Sequence, residues 1–356
     1  MPPFLLLCRL LDAWLARRPL PPSVLDALGD GTPWPRLVTL SGVHLLTPAL
    51  APALAGEALR PRLPVELVEY LAAMREAAAR RNLALRRDLI GVAARLNGIG
   101  VVPVALKGAI RLIDGLWPDS ALRFMHDLDL LVPEAALEAC GDELARHGWL
   151  PIGGEADDGD HHLAFAHAGA EARIELHWTA LAAPHGALLP PPRLLARALP
   201  VRIEGATIAV PAIDDQLVHL VAHGMLQHAF LANGRFLLRD LIEQALLLGR
   251  ASAAERLAAQ ERLATAGRAR AWEVSCHLAA RCLPQSVADP IAPSLGTRFL
   301  ARRMLLQQRS PVLMELLGPT GWLLARAVGG PAPAAPRLSL PQLAEQLLIF
   351  RRKTRW

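Results

Sequence analysis

Leucine and alanine recur at helical spacing from residue 1 to about residue 97, broken by the turn-rich stretches PLPP (19–22), GDGTPWP (29–35) and LRPRLP (59–64). That period predicts helices joined by turns. The last of them, from about Val65 to Asn97, alternates Leu/Ala with Arg/Glu and reads as a long, partly solvated helix. After Gly98 and Gly100 the period changes. VVPVAL is a short β-branched run, KGAIRLIDGLW again reads helical, and DLDLLV (127–132) is a second apolar run. Pro133 then opens a helix in PEAALEACGDELARHG that closes at Gly148. HHLAFAH (161–167) and ARIELHW (172–178) are further strand candidates, with the polar loop GGEADDGD ahead of them. Residues 184–212 form a proline-rich bridge with one short helix and a possible hairpin at VRIEGATIAV. Helical spacing returns from Asp214 to about Ala288, and GGPAPAAP (329–336) reads as a linker before a basic C-terminal helix ending in FRRKTRW.

The expected fold is therefore α+β. A small mixed β-sheet core at 98–182 is flanked by an N-terminal helical region (1–97) and a C-terminal helical domain (183–328), with the linker and basic helix at 329–356. No period of 20 to 50 residues recurs, which argues against a solenoid.

Composition narrows the class. With 356 residues, 53% of them hydrophobic and 20% charged, the chain can bury a sizeable core and is not disordered. Every long apolar stretch meets a charge or proline before about 18 residues, so no spanning helix is expected. The opening MPPFLLLCRLLDAWLARR carries Arg9 and Asp12 inside its apolar run and reads as an amphipathic helix rather than a signal peptide. Cys8, Cys140, Cys276 and Cys282 lack CxxC or metal-finger spacing, which points to a reducing, cytoplasmic compartment. A net charge of +5 permits phosphate-bearing partners, but the basic residues are spread along the chain. Among them only Lys107 and Lys353 are lysines. In an arginine-rich chain, Lys107 at the end of an apolar strand hints that a compact ammonium is wanted there.

The chemistry-bearing pattern begins at Asp127 and Asp129. Two apart on a strand, they project from one face about 7 Å apart. Glu175, on a second strand, shares its face with Arg173 and His177. Three convergent carboxylates on adjacent strands can hold two divalent cations about 4 Å apart, as in-line attack at phosphorus requires, and oxygen-only ligation favours Mg2+ or Mn2+. Taken alone, DLD reads more readily as a solvated cap. The Lys107-Gly108 pair at a helix start strengthens the functional reading, because free backbone N–H groups and a lysine can receive phosphate oxygens.

In order, ALKGAIRL, WPDSALRFMHDLDLLV, RIELHW and LVHLVAHG with FLLRDL resemble the uncharacterised nucleotidyltransferase group of the DNA polymerase β-like superfamily, over about residues 65 to 250. The resemblance implies that Lys107 and Gly108 form the phosphate turn, that Asp127 and Asp129 ligate the metals, and that Glu175 is the third carboxylate. It implies that Arg123 faces the triphosphate or braces the loop. The Lys-Gly turn departs from the Gly-Ser or Gly-Gly of better-known branches, so the missing hydroxyl's contact falls to Lys107 or to backbone. The donor substrate implied is an NTP, with two Mg2+ (or Mn2+) ions. The acceptor is an unidentified small molecule, peptide or protein, with natural-product tailoring one setting.

Other residues carry lesser readings. His219 and His223 have metal-ligand spacing with His228 a turn beyond, but no acidic or cysteine partner accompanies them, so packing or an acceptor-pocket wall is the better account. His177, His223 and Arg239 are the acceptor-side or orienting candidates. Asp240 pairs with Arg239 or Arg235 as a helix-surface cluster, and His126 on a strand points away from Asp127 and Asp129. Trp178 reads as core. Two alternatives stand beside the enzyme: a non-catalytic nucleotide- or partner-binding protein, antitoxin-like or scaffold, on the same fold, and contact with anionic lipid or nucleic acid through the arginine-rich helices or the basic tail.

Overall fold

The computed structural model describes residues 1–309, apart from 30, 58, 153–160 and 288–291, together with residue 313. The GGEADDGD loop, the Ala/Pro linker and the FRRKTRW tail lie outside the described residues. Seven strands form one mixed sheet: β1 (Val104–Ala105), β2 (Asp127–Leu131), β3 (Leu150–Ile152), β4 (His162–Ala166), β5 (Arg173–His177), β6 (Leu199–Ile203) and β7 (Ala206–Val210). Their order is β3-β4-β5-β2-β1-β7-β6. β2 runs parallel to β5 and β1 to β7, and the other neighbours are antiparallel. Helices precede, flank and follow this sheet, so the α+β expectation holds.

The sheet is larger than expected. The hairpin of the proline-rich bridge joins it, because β7 pairs with β1 and carries β6 to the edge. LPI at 150–152 adds the opposite edge. Both edge strands contain proline, Pro200 and Pro151, which a central strand would not tolerate; the VRIEGATIAV hairpin is legible in the sequence all the same, whereas LPI is not. VVPVAL gives only two strand residues, since Pro103 has no N–H for the ladder. The helix expected over KGAIRLIDGLW stops at Ile110. Asp114 accepts the Leu116 N–H at 2.9 Å, and Gly115 follows at φ 59°, so a local turn wins over the helix.

Two hydrophobic clusters lie on either face of the sheet. Leu128, Leu130, Ile174 and Leu176 pack with Leu85, Leu89 and Ala93 of the long helix Val65–Gly98 and with Cys140 and Leu144 of the helix Leu137–Arg146. On the other side, Val104, Leu106 and Leu131 belong to a cluster that takes in the first helix, Pro3–Leu15, and the helices between Ile213 and Cys282. The first helix, expected as amphipathic, packs into this cluster. It is buried on most sides, and even Asp12 is enclosed, accepting hydrogen bonds from Gln285 N, Ser286 N and Ser286 Oγ. Those three donors explain why a carboxylate is tolerated there. All four cysteines are free and buried. Among the described residues no helix is long and apolar enough to cross a membrane.

Candidate active site

The pleat of the central strands sorts the side chains. Leu128 and Leu130 go to the core beneath the long helix, which sends Asp127 and Asp129 to the opposite face. The parallel register sets Asp127 beside Arg173, Asp129 beside Glu175 and Leu131 beside His177. On the far side of β5, Ala164 lies opposite Glu175 and His162 opposite His177. Pairing of β2 with β5 therefore brings Asp129, Glu175 and His177 into one group whose ligand atoms all lie within 4.8 Å of one another.

Asp129 is the hub. Its Oδ1 accepts Lys107 Nζ at 2.6 Å and His177 Nε2 at 2.9 Å, and His177 Nε2 is also 3.4 Å from Glu175. Burial alone would raise the Asp129 carboxyl, but the Lys107 ammonium and the His177 hydrogen bond outweigh it and hold it well below the usual range. Asp127 is different. Burial and repulsion from Asp129 and Glu175 push its carboxyl up, with Lys107 only partly offsetting them. Burial would lower His177, yet its bonds to Asp129 and Glu175 raise it. Three carboxylates thus share too little positive charge, and Asp127 bears the deficit.

The turn that carries Lys107 is strained in its service. Lys107 has φ 47°, the left-handed region that a side-chain-bearing residue enters at a cost of about 1–3 kcal/mol. Gly108 beside it lets Arg123 come close, since a Cβ there would sit 2.7 Å from Arg123 Nη1. Arg123 also donates to the Phe124 carbonyl at 3.0 Å and to Glu243 at 3.3 Å. These contacts tie Arg123 to its own loop and to Glu243. Arg111 donates to the same Glu243 at 2.5 Å and to Gln216 at 2.9 Å, and pairs with Asp114. Burial would raise Glu243, but Arg111, Arg123 and Arg239 bring it down to about 2.

These groups border a cavity of about 250 Å³. Lys107, Gly108, Arg123, Asp127 and Asp129 form one wall. His219, His223 and His228 with Arg239 and Asp240 form the other. Glu175 and His177 are not wall residues. His177 has no exposed surface and stands behind Asp129. Arg239 and Asp240 pair at 2.8 Å, facing this cavity rather than open solvent as expected. His126 is also displaced from its expected position: it precedes β2, lines the cavity and meets the Phe124 ring at 4.7 Å. Trp178 is only half-buried.

His219 and His223 do not make the metal site their spacing allows. Among the described residues, neither belongs to a group of three convergent ligands. Burial, reinforced by Lys107, lowers His219 to about 3, and burial lowers His44 to about 4. Both sit below an unfolded value near 6.5, so the unfolded chain binds more protons as pH falls and stability is lost from about pH 6.5 downward. Between about pH 6.5 and pH 5 each should cost about 2 kcal/mol. Denaturant midpoints across that range should fall with acid, and a His219→Gln variant should show a shallower slope.

Three buried residues of the bracing network, Arg111, Gln216 and Glu243, escaped the sequence reading, as did His162. Glu243 lies among the buried Leu241, Ile242 and Ala245 of the helix Leu238–Arg250, and a charge at such a position was the available signal. A family model described as uncharacterised nucleotidyltransferase matches residues 30–284. No curated protein matches the chain.

Proposed function

The chain belongs to the uncharacterised nucleotidyltransferase family, and from that premise we propose that it transfers an NMP from an NTP to an acceptor at the Asp127–Asp129–Glu175 cluster. The observation that carries this reading is the register that sets Asp129 beside Glu175, with Asp127 two residues back on the same strand face and Lys107 bonded to Asp129 at the cavity wall. The donor set suits Mg2+ or Mn2+ because carboxylate oxygens dominate it, and burial together with repulsion from Asp129 and Glu175 raises the Asp127 carboxyl. Asp127, Asp129 and Glu175 would hold two such ions, whose chemistry when bound is neutralisation of charge on the α-phosphate and the departing pyrophosphate.

The protein's own groups divide the remaining work. Lys107 and the Gly108 backbone receive phosphate oxygens, and Arg123 is held rigid by Glu243 to support that turn. His177 aligns Asp129 from behind. His223, with Arg239, offers the acceptor a wall that stays uncharged at the imidazole, because burial and then Lys107 lower His223. An acceptor hydroxyl attacks the α-phosphorus, the bond from that phosphorus to the α,β-bridging oxygen breaks, pyrophosphate leaves, and the hydroxyl proton passes to solvent water. The acceptor is a small molecule, peptide or protein hydroxyl, and a tailoring role in natural-product assembly fits that range.

A second reading has its own support. Lys107 and His177 already satisfy Asp129, as they would in a protein that keeps the carboxylates for stability and binds a nucleotide or partner without turnover. Position-labelled NTP separates the two. With Mg2+ and a mixed pool of small molecules, peptides and proteins, label from the α-phosphate should appear on an acceptor while γ-label leaves as pyrophosphate. Transfer of γ-label, or no transfer with any of the four NTPs, counts against the proposal.

A further inference from the structure

Behind the carboxylates, away from the cavity, three imidazoles converge. His162 opens β4 directly opposite His177 on β5, so the two rings share a face, with centroids 4.9 Å apart. His161 precedes the strand, and its ring turns back to 5.0 Å from His162 and 5.1 Å from His177. One ring nitrogen from each of the three lies within 4.8 Å of the other two. None of the three lines the nucleotide-sized cavity.

Among the described residues each ring also keeps a buried nitrogen without a hydrogen-bond partner: His161 Nε2, His162 Nδ1 and His177 Nδ1. The case of His177 is the most telling, because the residue is wholly buried. Its Nε2 faces the Asp129 carboxylate at 2.9 Å, and a carboxylate can only accept, so the Nε2 proton is fixed there. That leaves His177 Nδ1 facing the protein without a hydrogen-bond partner among the described residues. An imidazole backed by a carboxylate on one nitrogen is the arrangement that orients metal-ligating histidines.

We propose that His161, His162 and His177 form a site for a first-row transition metal ion of the Zn2+ class, beside the carboxylate cluster and joined to it through His177 and Glu175. Three imidazoles select Zn2+, Co2+ or Ni2+ over Mg2+, which prefers oxygen. Nitrogens on a tetrahedral ion with bonds of about 2.0–2.1 Å lie about 3.4 Å apart, so a modest closure of the rings completes the geometry. Glu175, 3.8 Å from His162 Nε2, stands close enough to support the group. The ion's place gives it a purpose. By fixing His177 it fixes Asp129, and so couples transition-metal occupancy to the carboxylates of the proposed transfer site.

The test is a Co2+ titration of the full-length protein in excess Mg2+, followed by visible absorption and then displacement with Zn2+. One Co2+ per chain should bind with the visible bands of a low-coordinate nitrogen site, and one Zn2+ should erase them. The single variants His161→Ala and His162→Gln, both at half-exposed positions, should each weaken Co2+ binding at least 10-fold. Asp127→Asn should leave it unchanged. Failure of wild type to bind Co2+, or loss of binding in Asp127→Asn with retention in both histidine variants, would overturn the proposal. Mg2+-dependent NTP binding, measured separately, reports on the transfer reading and not on this site.

Discussion

Asp127→Asn is expected to lower nucleotidyl transfer by about 100-fold or more while leaving the fold as stable as before, or more so. The loss follows from removing one preorganised ligand at the reacting charge, an effect on the order of 3 kcal/mol. The gain follows from the strain on the same group. Burial and the neighbouring Asp129 and Glu175 raise the Asp127 carboxyl above its unfolded value, so at neutral pH its ionisation opposes folding. Asparagine keeps the shape and removes the charge. Thermal melts without metal should place the variant at or above wild type, and added Mg2+ should raise the melting point of wild type only. A site that evolved for stability alone would give the reverse: a less stable variant and no difference in transfer.

Glu243→Ala is expected to cost about 3–5 kcal/mol of stability, the range for removing one partner of a buried ion pair. Arg111, Arg123 and Glu243 are all buried, and the carboxylate is the group that both guanidiniums share. Arg111 retains Asp114 and Gln216, but Arg123 is left with the Phe124 carbonyl. The second effect is local. Without Glu243 the Arg123 guanidinium no longer has a fixed place against Gly108, so the phosphate turn should loosen. Urea unfolding should show the midpoint shift, and Glu243→Gln, which keeps an acceptor for one guanidinium, should lose less.

The central strands and the three carboxylates were legible in the sequence because their signals are local. DLDLLV and ARIELHW each alternate as strands do, and the alternation itself puts Asp127 with Asp129 on one face of their strand and Glu175 with His177 on one face of theirs. What joins them is not local. The parallel pairing of β2 with β5 sets Asp129 beside Glu175, and nothing in either segment announces that register. The same holds for Glu243, which meets Arg111 and Arg123 across more than a hundred residues. His177 followed a different course. Its position two after Glu175 was read correctly as the same face, but its burial behind Asp129 depends on β4 covering it, so its part as a support for Asp129 emerges only from the packing. The surroundings of the first helix emerge only from packing for a related reason: the segment around Gln285 encloses Asp12, and the Cys282 carbonyl accepts from the part-buried Arg9.

The Asp127 cluster is expected to bind a triphosphate through divalent cations. Calorimetry with each of the four NTPs, with and without Mg2+, on wild type and on Asp127→Asn, tests it most directly. At least one NTP should bind wild type only when Mg2+ is present, and that binding should fall by at least 10-fold in the variant. Equal binding to the two proteins, or binding indifferent to Mg2+, would contradict the claim and leave the carboxylates as part of a structural network.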